Sequence, residues 1–224
     1  MSSESNLAML KLAHDLLEEL VDEVVFVGGV TTCLYVDLTI SDDIRPTDDV
    51  DCVIEITNRN GYDAFQAKLR KKGFSHDTSK GAPICRFKYG EALILDVMPN
   101  DENILGFSNS WYKDGIKNKE EINIAGMKIF IFSLPYFLAS KFEAFDGRGK
   151  NDPRMSWDLE DIILVIDGIK EFSLSGTQGR LRTYLSKMGS LCTKSELMQE
   201  SISGFLNNNR IKVNKVNDRL KSLI

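Results

Sequence analysis

The sequence predicts an α+β fold whose second half is helical, and two observations predict it. Strand-like runs such as EVVFV (23–27) and the segment ALILDVMP occur before residue 133 and disappear after it. After Leu134, apolar residues recur at the three-to-four spacing of amphipathic helices. We therefore divide the chain into an α+β domain over 1–133 and a helical domain over 134–224.

The first domain is predicted to alternate helices with strands. Gly90 and the pair Ala125-Gly126 mark the turns of two hairpins. The predicted elements are helices over 7–21, 30–38 and 61–74, strands over 23–27 and 50–56, and hairpins over 84–99 and 120–132. In the second domain, the spacing predicts helices over 134–146, 157–168, 177–189, 194–207 and 210–223, with a flexible loop over 146–156.

Composition favours a cytoplasmic globular protein with no membrane segment. Of the 224 residues, 42% are hydrophobic and 27% charged, and no apolar run approaches the roughly 20 residues of a membrane span. The first ten residues lack the basic and apolar regions of a secretory signal. The four cysteines are scattered, which suits reduced thiols better than disulfides or a zinc site. The net charge of −5 argues against a generally basic nucleic-acid-binding surface but allows a local one.

Two glycines follow the first predicted strand and precede a predicted helix. Gly28 and Gly29 would let a phosphate approach the backbone N–H groups closely, and the hydroxyls of Thr31 and Thr32 could add donors. A plain tight turn explains the same two glycines.

Two carboxylates lie at the start of the second strand. Asp49 and Asp51 are two residues apart, so their side chains point to the same face of a strand. Like charges this close are costly without a cation between them, and carboxylate oxygens suit Mg²⁺. The alternative is a solvated acidic strand end, which Asp48 would extend.

Asp96 is the lone charge in the apolar run ALILDVMP. A carboxylate in a buried strand is expected to bind a metal, to be protonated, or to pair with an arginine or lysine. If its strand lies beside 50–56, Asp96 joins Asp49 and Asp51 opposite the Gly-Gly turn. Three such acids predict a two-metal site for phosphoryl transfer.

These residues, in this order, resemble the polymerase-β-type nucleotidyltransferase superfamily. The stretch VGGVTTCLY followed by RPTDDVDCVI is similar to the AbiEii-like branch, which includes toxins of toxin–antitoxin pairs and often carries the Arg-x-Thr seen here as Arg45 and Thr47. The resemblance covers about residues 23–168. It implies a nucleotidyltransferase-type mixed β-sheet with flanking helices.

The resemblance also implies roles for individual residues. Gly28 and Gly29 would hold the triphosphate of an NTP such as ATP, with Thr31 nearby. Asp49, Asp51 and Asp96 would bind two Mg²⁺ ions, and Asp96 would help to deprotonate the acceptor hydroxyl.

Two positions in the helical half complete the resemblance. Lys141 would reach the triphosphate, and Asp158, with Asp161 one turn on, is the matching acid of the next helix. Two departures from the family pattern are Gly29 in place of the commoner serine and Trp157 in place of a basic residue before Asp158.

The charged residues outside the Gly-Gly turn and the three strand acids also have purely structural explanations. Lys141 could be a surface lysine, and Asp158 and Asp161 could be a helix cap with a solvated neighbour. The basic loop (Arg148, Lys150 and Arg154) could touch an acceptor or simply be solvated. The basic tail could carry RNA or form an exposed helix face; it consists of Arg210, Lys212, Lys215, Arg219 and Lys221, with Asp218.

The sequence thus favours an Mg²⁺-dependent enzyme that moves an NMP from an NTP to a hydroxyl on RNA such as tRNA, on protein or on a small molecule. If the chain is a toxin, an antitoxin protein is a further expected partner. An antibiotic-type small-molecule nucleotidyltransferase and a non-catalytic nucleotide-binding or regulatory module are the alternatives.

Overall fold

The computed structural model describes residues 2–37, 44–149, 152–174 and 176–224. The chain divides into two units. The first comprises Met1–Thr31 and Pro46–Ser133, and the second comprises Thr32–Arg45 and Leu134–Ile224. The second unit therefore takes a short segment from the first half of the sequence in addition to the helical half.

The first unit is built on a mixed β-sheet. Its strands are β1 Val24–Val27, β2 Val50–Ile54, β3 Ser75–His76, β4 Arg86–Tyr89, β5 Leu93–Pro99, β6 Lys119–Ile124 and β7 Met127–Phe132. Within the described residues these seven strands have the order β3-β4-β5-β2-β1-β7-β6. β2 pairs parallel with β5 and β1 parallel with β7, and the other neighbours are antiparallel. The α+β class and both hairpins are confirmed.

Helices account for most of the remaining described residues. They are α1 Ser2–Leu17, α2 Thr32–Tyr35, α3 Arg59–Lys71, α4 Glu102–Leu105, α5 Tyr112–Lys117, α6 Leu134–Ala144, α7 Trp157–Gly168, α8 Gly179–Lys194, α9 Glu196–Phe205 and α10 Arg210–Lys221. Short 3₁₀ turns cover Glu18–Glu23, Gly29–Thr31 and Pro153–Met155, and Phe145–Gly149 forms a π-helical turn.

Two helices of the first unit pack on its sheet. α1 contacts strands β2, β5 and β7, and it buries Leu10, Ala13 and Leu17 at helical spacing. α3 begins at an Asn58 cap, whose side chain accepts a hydrogen bond from the Gly61 amide. The buried Tyr62 hydroxyl of α3 donates to the Val97 carbonyl at 2.9 Å, which fixes this helix over β5.

The turn after β1 requires glycine at one position. Gly28 has φ +76°, a conformation that side chains with a Cβ rarely adopt. A Cβ built there would lie 2.1 Å from Asp51 Oδ2. The helix predicted over 30–38 is shorter than expected: it reduces to the 3₁₀ turn and the four residues of α2, and residues 38–43 lie outside the described part of the chain.

In the second unit, α7 is the most buried helix of those described. Ser156 caps it by accepting a hydrogen bond from the Leu159 amide, which explains why the helix begins where the sequence predicts. α7 contacts α2, α6, α9 and α10. Near its end, Gly168 packs so closely against Val36 that an added Cβ would lie 2.4 Å from a valine methyl group.

The basic tail has a structural role at the end of α7. Asp167 is fully buried, and its carboxylate lies 2.5 Å from Lys215 Nζ and 3.7 Å from Lys212 Nζ of α10. Arg219 of the same helix donates to the carbonyls of Ile166 and Asp167. These three basic residues therefore bind α7, which favours a packing role over an RNA-binding role for this face of α10.

Two sequence expectations concern the environment of the chain. Among the described residues, no helix combines the length and the apolar character needed to cross a membrane. All four cysteines are buried free thiols. Burial raises the pKa of the Cys85 thiol to about 12, so it carries little thiolate at neutral pH.

Gly28→Ala should destabilise the protein more than Gly126→Ala. Both glycines have positive φ, +76° and +79°, but an added Cβ meets Asp51 at Gly28 and nothing within 4 Å at Gly126. The unfavourable backbone alone should reduce the unfolding free energy by about 1–2 kcal/mol in both variants. The clash at Gly28 should add about 1–3 kcal/mol. Urea unfolding of the two variants measures the difference.

The same contact can be isolated with a second substitution. In an Asp51→Ala background, the two nearest obstructing atoms at Gly28, Oδ2 and Cγ, are absent. The difference in unfolding free energy between Gly28→Ala and Gly126→Ala should then become smaller. An excess that is unchanged in this background would show that Asp51 is not the obstacle.

Lys215→Met should destabilise the protein, and Lys221→Met on the same helix should not. Loss of Lys215 leaves the buried Asp167 carboxylate without its nearest cation, at a cost of about 1–3 kcal/mol. Lys221 is largely exposed and pairs with an exposed Asp218 at 3.5 Å, so its loss should change stability by less than about 0.5 kcal/mol. Equal urea midpoints for the two variants would contradict a packing role for Lys215.

Candidate functional site

The candidate site is a row of residues across four neighbouring strands of the first unit. Asp51 of β2 is the register partner of Asp96 of β5 on one side and of Val27, which precedes Gly28, on the other. Arg86 of β4 is in turn the register partner of Asp96. Register partners point to the same face of a sheet, so both aspartates and Arg86 lie on one face. The Gly28 turn lies beside them, because a Cβ at Gly28 would meet Asp51 Oδ2.

Asp49 joins this row from the residues just before β2. Its Oδ1 accepts a hydrogen bond from the Thr47 hydroxyl at 3.0 Å, and its Oδ2 accepts one from Arg86 Nη2 at 2.7 Å. Thr47 is itself held in place, because its amide donates to Asn6 of α1 at 3.1 Å. The threonine of the Arg-x-Thr motif therefore orients the first aspartate of the Asp-x-Asp motif.

Arg86 is the cation of the cluster. Its Nε donates to Asp96 Oδ1 at 2.8 Å and its Nη2 to Asp96 Oδ2 at 2.7 Å, a two-pronged pairing that engages both carboxylate oxygens. Asp96 is buried, and the Arg86 side chain is 23% exposed. The hydrogen bonds that the guanidinium donates to Asp96 are the main cause that raises its pKa, with further attraction from Asp96, Asp49 and Asp51.

Of the residues in this cluster, Arg86 is the one that sequence reasoning missed. The signal was present: the predicted hairpin turned at Gly90, and a turn there places residue 86 near residue 96. An arginine or lysine was one of the partners expected for a lone acid in a buried strand. Pairing across the hairpin would have identified which one.

The donor set fits a divalent cation in kind. Asp49, Asp51 and Asp96 supply the carboxylate oxygens that Mg²⁺ prefers as ligands. The present arrangement is different, because Arg86 bridges Asp49 and Asp96. Among the described residues, no group of three or more histidine, cysteine or acidic side chains is arranged to hold a metal ion together.

The Gly-Gly turn lies against the acidic row. The Thr31 hydroxyl and amide both donate to the Gly28 carbonyl, at 2.9 and 3.3 Å, so Thr31 closes the turn from within. A phosphate at this turn would therefore be bound mainly by backbone N–H groups. The four-residue α2 adds little helix dipole.

The helical residues predicted for the site belong to the second unit and contact one another. Lys141 of α6 is buried, and its Nζ lies 2.6 Å from Asp161 Oδ2 and 3.2 Å from Asp158 Oδ1. The two aspartates thus share one face of α7, one turn apart. Burial acts to raise the pKa of Asp158, but Lys141 and Arg148 outweigh it, and the pKa lies below its ordinary value.

Two arginines flank this buried trio. Arg148 donates to both oxygens of Asp158 while its side chain remains 75% exposed. Arg45, the other half of the Arg-x-Thr motif, lies 3.7 Å from Glu160 and 4.0 Å from Asp161. Its guanidinium stacks 4.7 Å above the exposed Trp157 ring. Arg45 thereby brings a cation to Trp157, the position at which the resemblance leads one to expect a basic residue.

Two arginines of the basic loop are paired with acidic residues. Arg148 is committed to Asp158, and Arg154 pairs with Asp152 at 2.9 Å. Lys150 lies outside the described residues. Contact of this loop with an acceptor stays a prediction.

Comparison with known proteins supports the fold. No family model matches the sequence, and a search of curated proteins returned no match. Among solved structures, the chain is similar to an antigenic nucleotidyltransferase-like protein from Paracoccidioides brasiliensis, with a TM-score of 0.52 and 20% sequence identity. The alignment covers 98% of this chain and 93% of the other, so it includes the helical tail. This likeness shows that the chain has a nucleotidyltransferase-like α+β fold over nearly its whole length.

Proposed function

We propose that this protein is an Mg²⁺-dependent nucleotidyltransferase that moves an NMP from an NTP to a hydroxyl acceptor and releases pyrophosphate. One observation carries the proposal: the register places Asp51 beside Asp96 and next to the Gly28 turn, with Asp49 two residues away, on a nucleotidyltransferase-like fold. This is an arrangement in which phosphate-binding amides and metal-binding acids face one substrate.

In this proposal each residue of the row has a separate task. Backbone N–H groups at Gly28 and Gly29 bind the triphosphate, which the missing side chains let approach closely. Asp49 and Asp51 hold Mg²⁺, with Thr47 fixing the Asp49 carboxylate. Asp96 contributes further oxygen ligands and accepts the proton of the attacking hydroxyl. Bound Mg²⁺, as one or two ions, would neutralise the charge that develops on the leaving pyrophosphate.

Lys141 and Asp158 remain proposed contributors from the second unit. Lys141 would act on the triphosphate as a positive point charge. Its ammonium is shared by Asp158 and Asp161, so two acids already balance its charge. Asp158 is then best explained as the residue that positions Lys141 and Arg148.

The acceptor and the biological role are finer proposals. RNA such as tRNA, a protein and a small molecule are the acceptor classes, ATP is the expected donor, and the cytoplasm is the expected compartment. Use of Lys212, Lys215 and Arg219 in packing leaves less basic surface on α10 for RNA. Membership of the AbiEii-like branch, a toxin role and an antitoxin partner rest on the sequence resemblance alone.

A specific observation favours a second candidate function. Arg86 occupies both oxygens of Asp96 and one of Asp49, an arrangement that also suits a fold retained for nucleotide binding or regulation without catalysis. This candidate predicts that an NTP raises the melting temperature of the protein while no nucleotidyl group is transferred.

Asp51→Asn should abolish label transfer, and Asp48→Asn should not. The protein is incubated with Mg²⁺ and each α-labelled NTP in turn, with total RNA or cell extract as the acceptor source. Loss of a carboxylate ligand should lower transfer on the order of 100-fold or more, or about 3 kcal/mol in the barrier. Asp48 is the exposed neighbour of Asp49 and serves as the matched control.

The position of the label identifies the acceptor class. Label on RNA, on the protein fraction or on a small molecule would each support transfer, provided that Asp51→Asn removes it. Full activity in a folded Asp51→Asn protein would overturn the role of Asp51. Thermal stabilisation by NTP with no transfer to any acceptor would instead establish the non-catalytic candidate.

A further inference from the structure

Arg86 donates hydrogen bonds to the same carboxylate oxygens that a metal cation would need as ligands. Its Nε and Nη2 take both oxygens of Asp96 at 2.7–2.8 Å, and Nη2 also takes Asp49 Oδ2 at 2.7 Å. The other Asp49 oxygen accepts from Thr47. A divalent cation would bind the same carboxylate oxygens and is repelled by a guanidinium a few ångströms away.

The cluster nevertheless retains an attraction for cations. Asp51 lies in the same row as Asp96, and Asp49 and Asp96 share the Arg86 guanidinium. The like charges on neighbouring strands repel unless further positive charge is present. A divalent cation and Arg86 would therefore compete for the same carboxylate oxygens.

Arg86 also has a route out of the cluster. Its side chain is 23% exposed and that of Asp49 is 28% exposed, whereas Asp96 is 9% exposed. Rotation of the guanidinium toward solvent would not require burial of its charge elsewhere. A buried carboxylate left behind would then require another cation, because an uncompensated charge in the interior is costly.

We propose that Arg86 is a positioning residue that holds the Asp96 carboxylate and competes with divalent cations for Asp96 and Asp49, so that a cation reaches Asp96 only when the two-pronged pairing opens. This inference rests on the proposed function for the identity of the cation site. It assigns to Arg86 control over metal affinity, a property that a purely structural ion pair would not have.

The test is Mn²⁺ binding by the full chain without nucleotide, measured by electron paramagnetic resonance of the free ion. Arg86→Gln removes the charge and the pairing, and Arg86→Lys keeps the charge but cannot form the planar two-pronged contact. We expect Arg86→Gln to tighten Mn²⁺ binding about tenfold and Arg86→Lys about threefold relative to the native protein. Arg70→Gln, at an exposed arginine of α3, is the control for net charge and should leave binding unchanged.

A third variant tests whether the Asp96 carboxylate is responsible for the gain in Mn²⁺ affinity. In the Arg86→Gln background, Asp96→Asn should return Mn²⁺ affinity to or below that of the native protein, because the released carboxylate is gone. The proposal would be overturned if Arg86→Gln did not increase Mn²⁺ affinity, or if the increase persisted after Asp96→Asn. It would also be overturned if Arg86→Lys bound Mn²⁺ as the native protein does, because net charge alone would then explain the effect. If Arg86→Gln fails to fold by circular dichroism, Arg86→Lys decides the question by itself.

These measurements are independent of the transfer assay. Native protein that transfers label while the Arg86 variants bind Mn²⁺ unchanged would retain the proposed function and reject the competition. A gain of Mn²⁺ affinity that depends on Asp96, with no label transfer by any form, would retain the competition and reject catalysis.

Discussion

The first unit is organised around a crowding of negative charge on one face of its sheet. Parallel pairing of β2 with β5 sets Asp51 beside Asp96, and Asp49 follows from its spacing two residues earlier. Such a row is unstable without positive charge nearby. Three neighbouring residues stabilise the row. Arg86 of β4 supplies positive charge, Thr47 donates a hydrogen bond to Asp49, and Gly28 leaves space for the Asp51 carboxylate.

The second unit meets the same constraint with buried pairs. Lys141 lies between Asp158 and Asp161, and Asp167 is held by lysines from α10. In each case acids on α7 are neutralised by a cation from another helix, so charge pairing also fixes how these helices pack. Such pairs contribute specificity of packing when they are complete and are costly when one partner is removed.

Much of this fold follows from local sequence signals. The bounds of α7 match the prediction because Ser156 caps its start and apolar residues dominate its length. The hairpin strands match because Gly90 and Gly126 supply the positive φ that their turns need. The segment after Gly29 begins as a 3₁₀ turn instead of an α-helix because Thr31 bonds to the Gly28 carbonyl, a contact that periodicity does not reveal. The two-residue β3 is too short to carry a pattern.

The acids of the cluster were predicted from the sequence, but the residues that pair with them were not. Gly28, Asp49, Asp51 and Asp96 were identified from spacing and from the cost of isolated charge in apolar strands. Arg86 was missed because its partner is chosen by hairpin register, and the role of Thr47 was missed because it depends on a contact with Asn6 from α1. The hairpin register could have been followed from the sequence to Arg86, whereas the contact from Asn6 depends on how α1 packs and lies beyond a one-dimensional pattern.

The connectivity of the row also implies an order of assembly. Arg86 and Asp96 are 10 residues apart across a hairpin, whereas Asp51 and Asp96 are 45 positions apart and meet only through a crossover that contains α3 and the β4 strand. Local hairpins close within microseconds, while distant parallel pairing carries a larger loss of chain entropy. We therefore expect Asp96 to arrive at β2 already paired with Arg86. During folding, the arginine would then neutralise Asp96 and reduce its repulsion from Asp51, which would help β5 to pair with β2. Competition with a ligand would arise only after the sheet has formed.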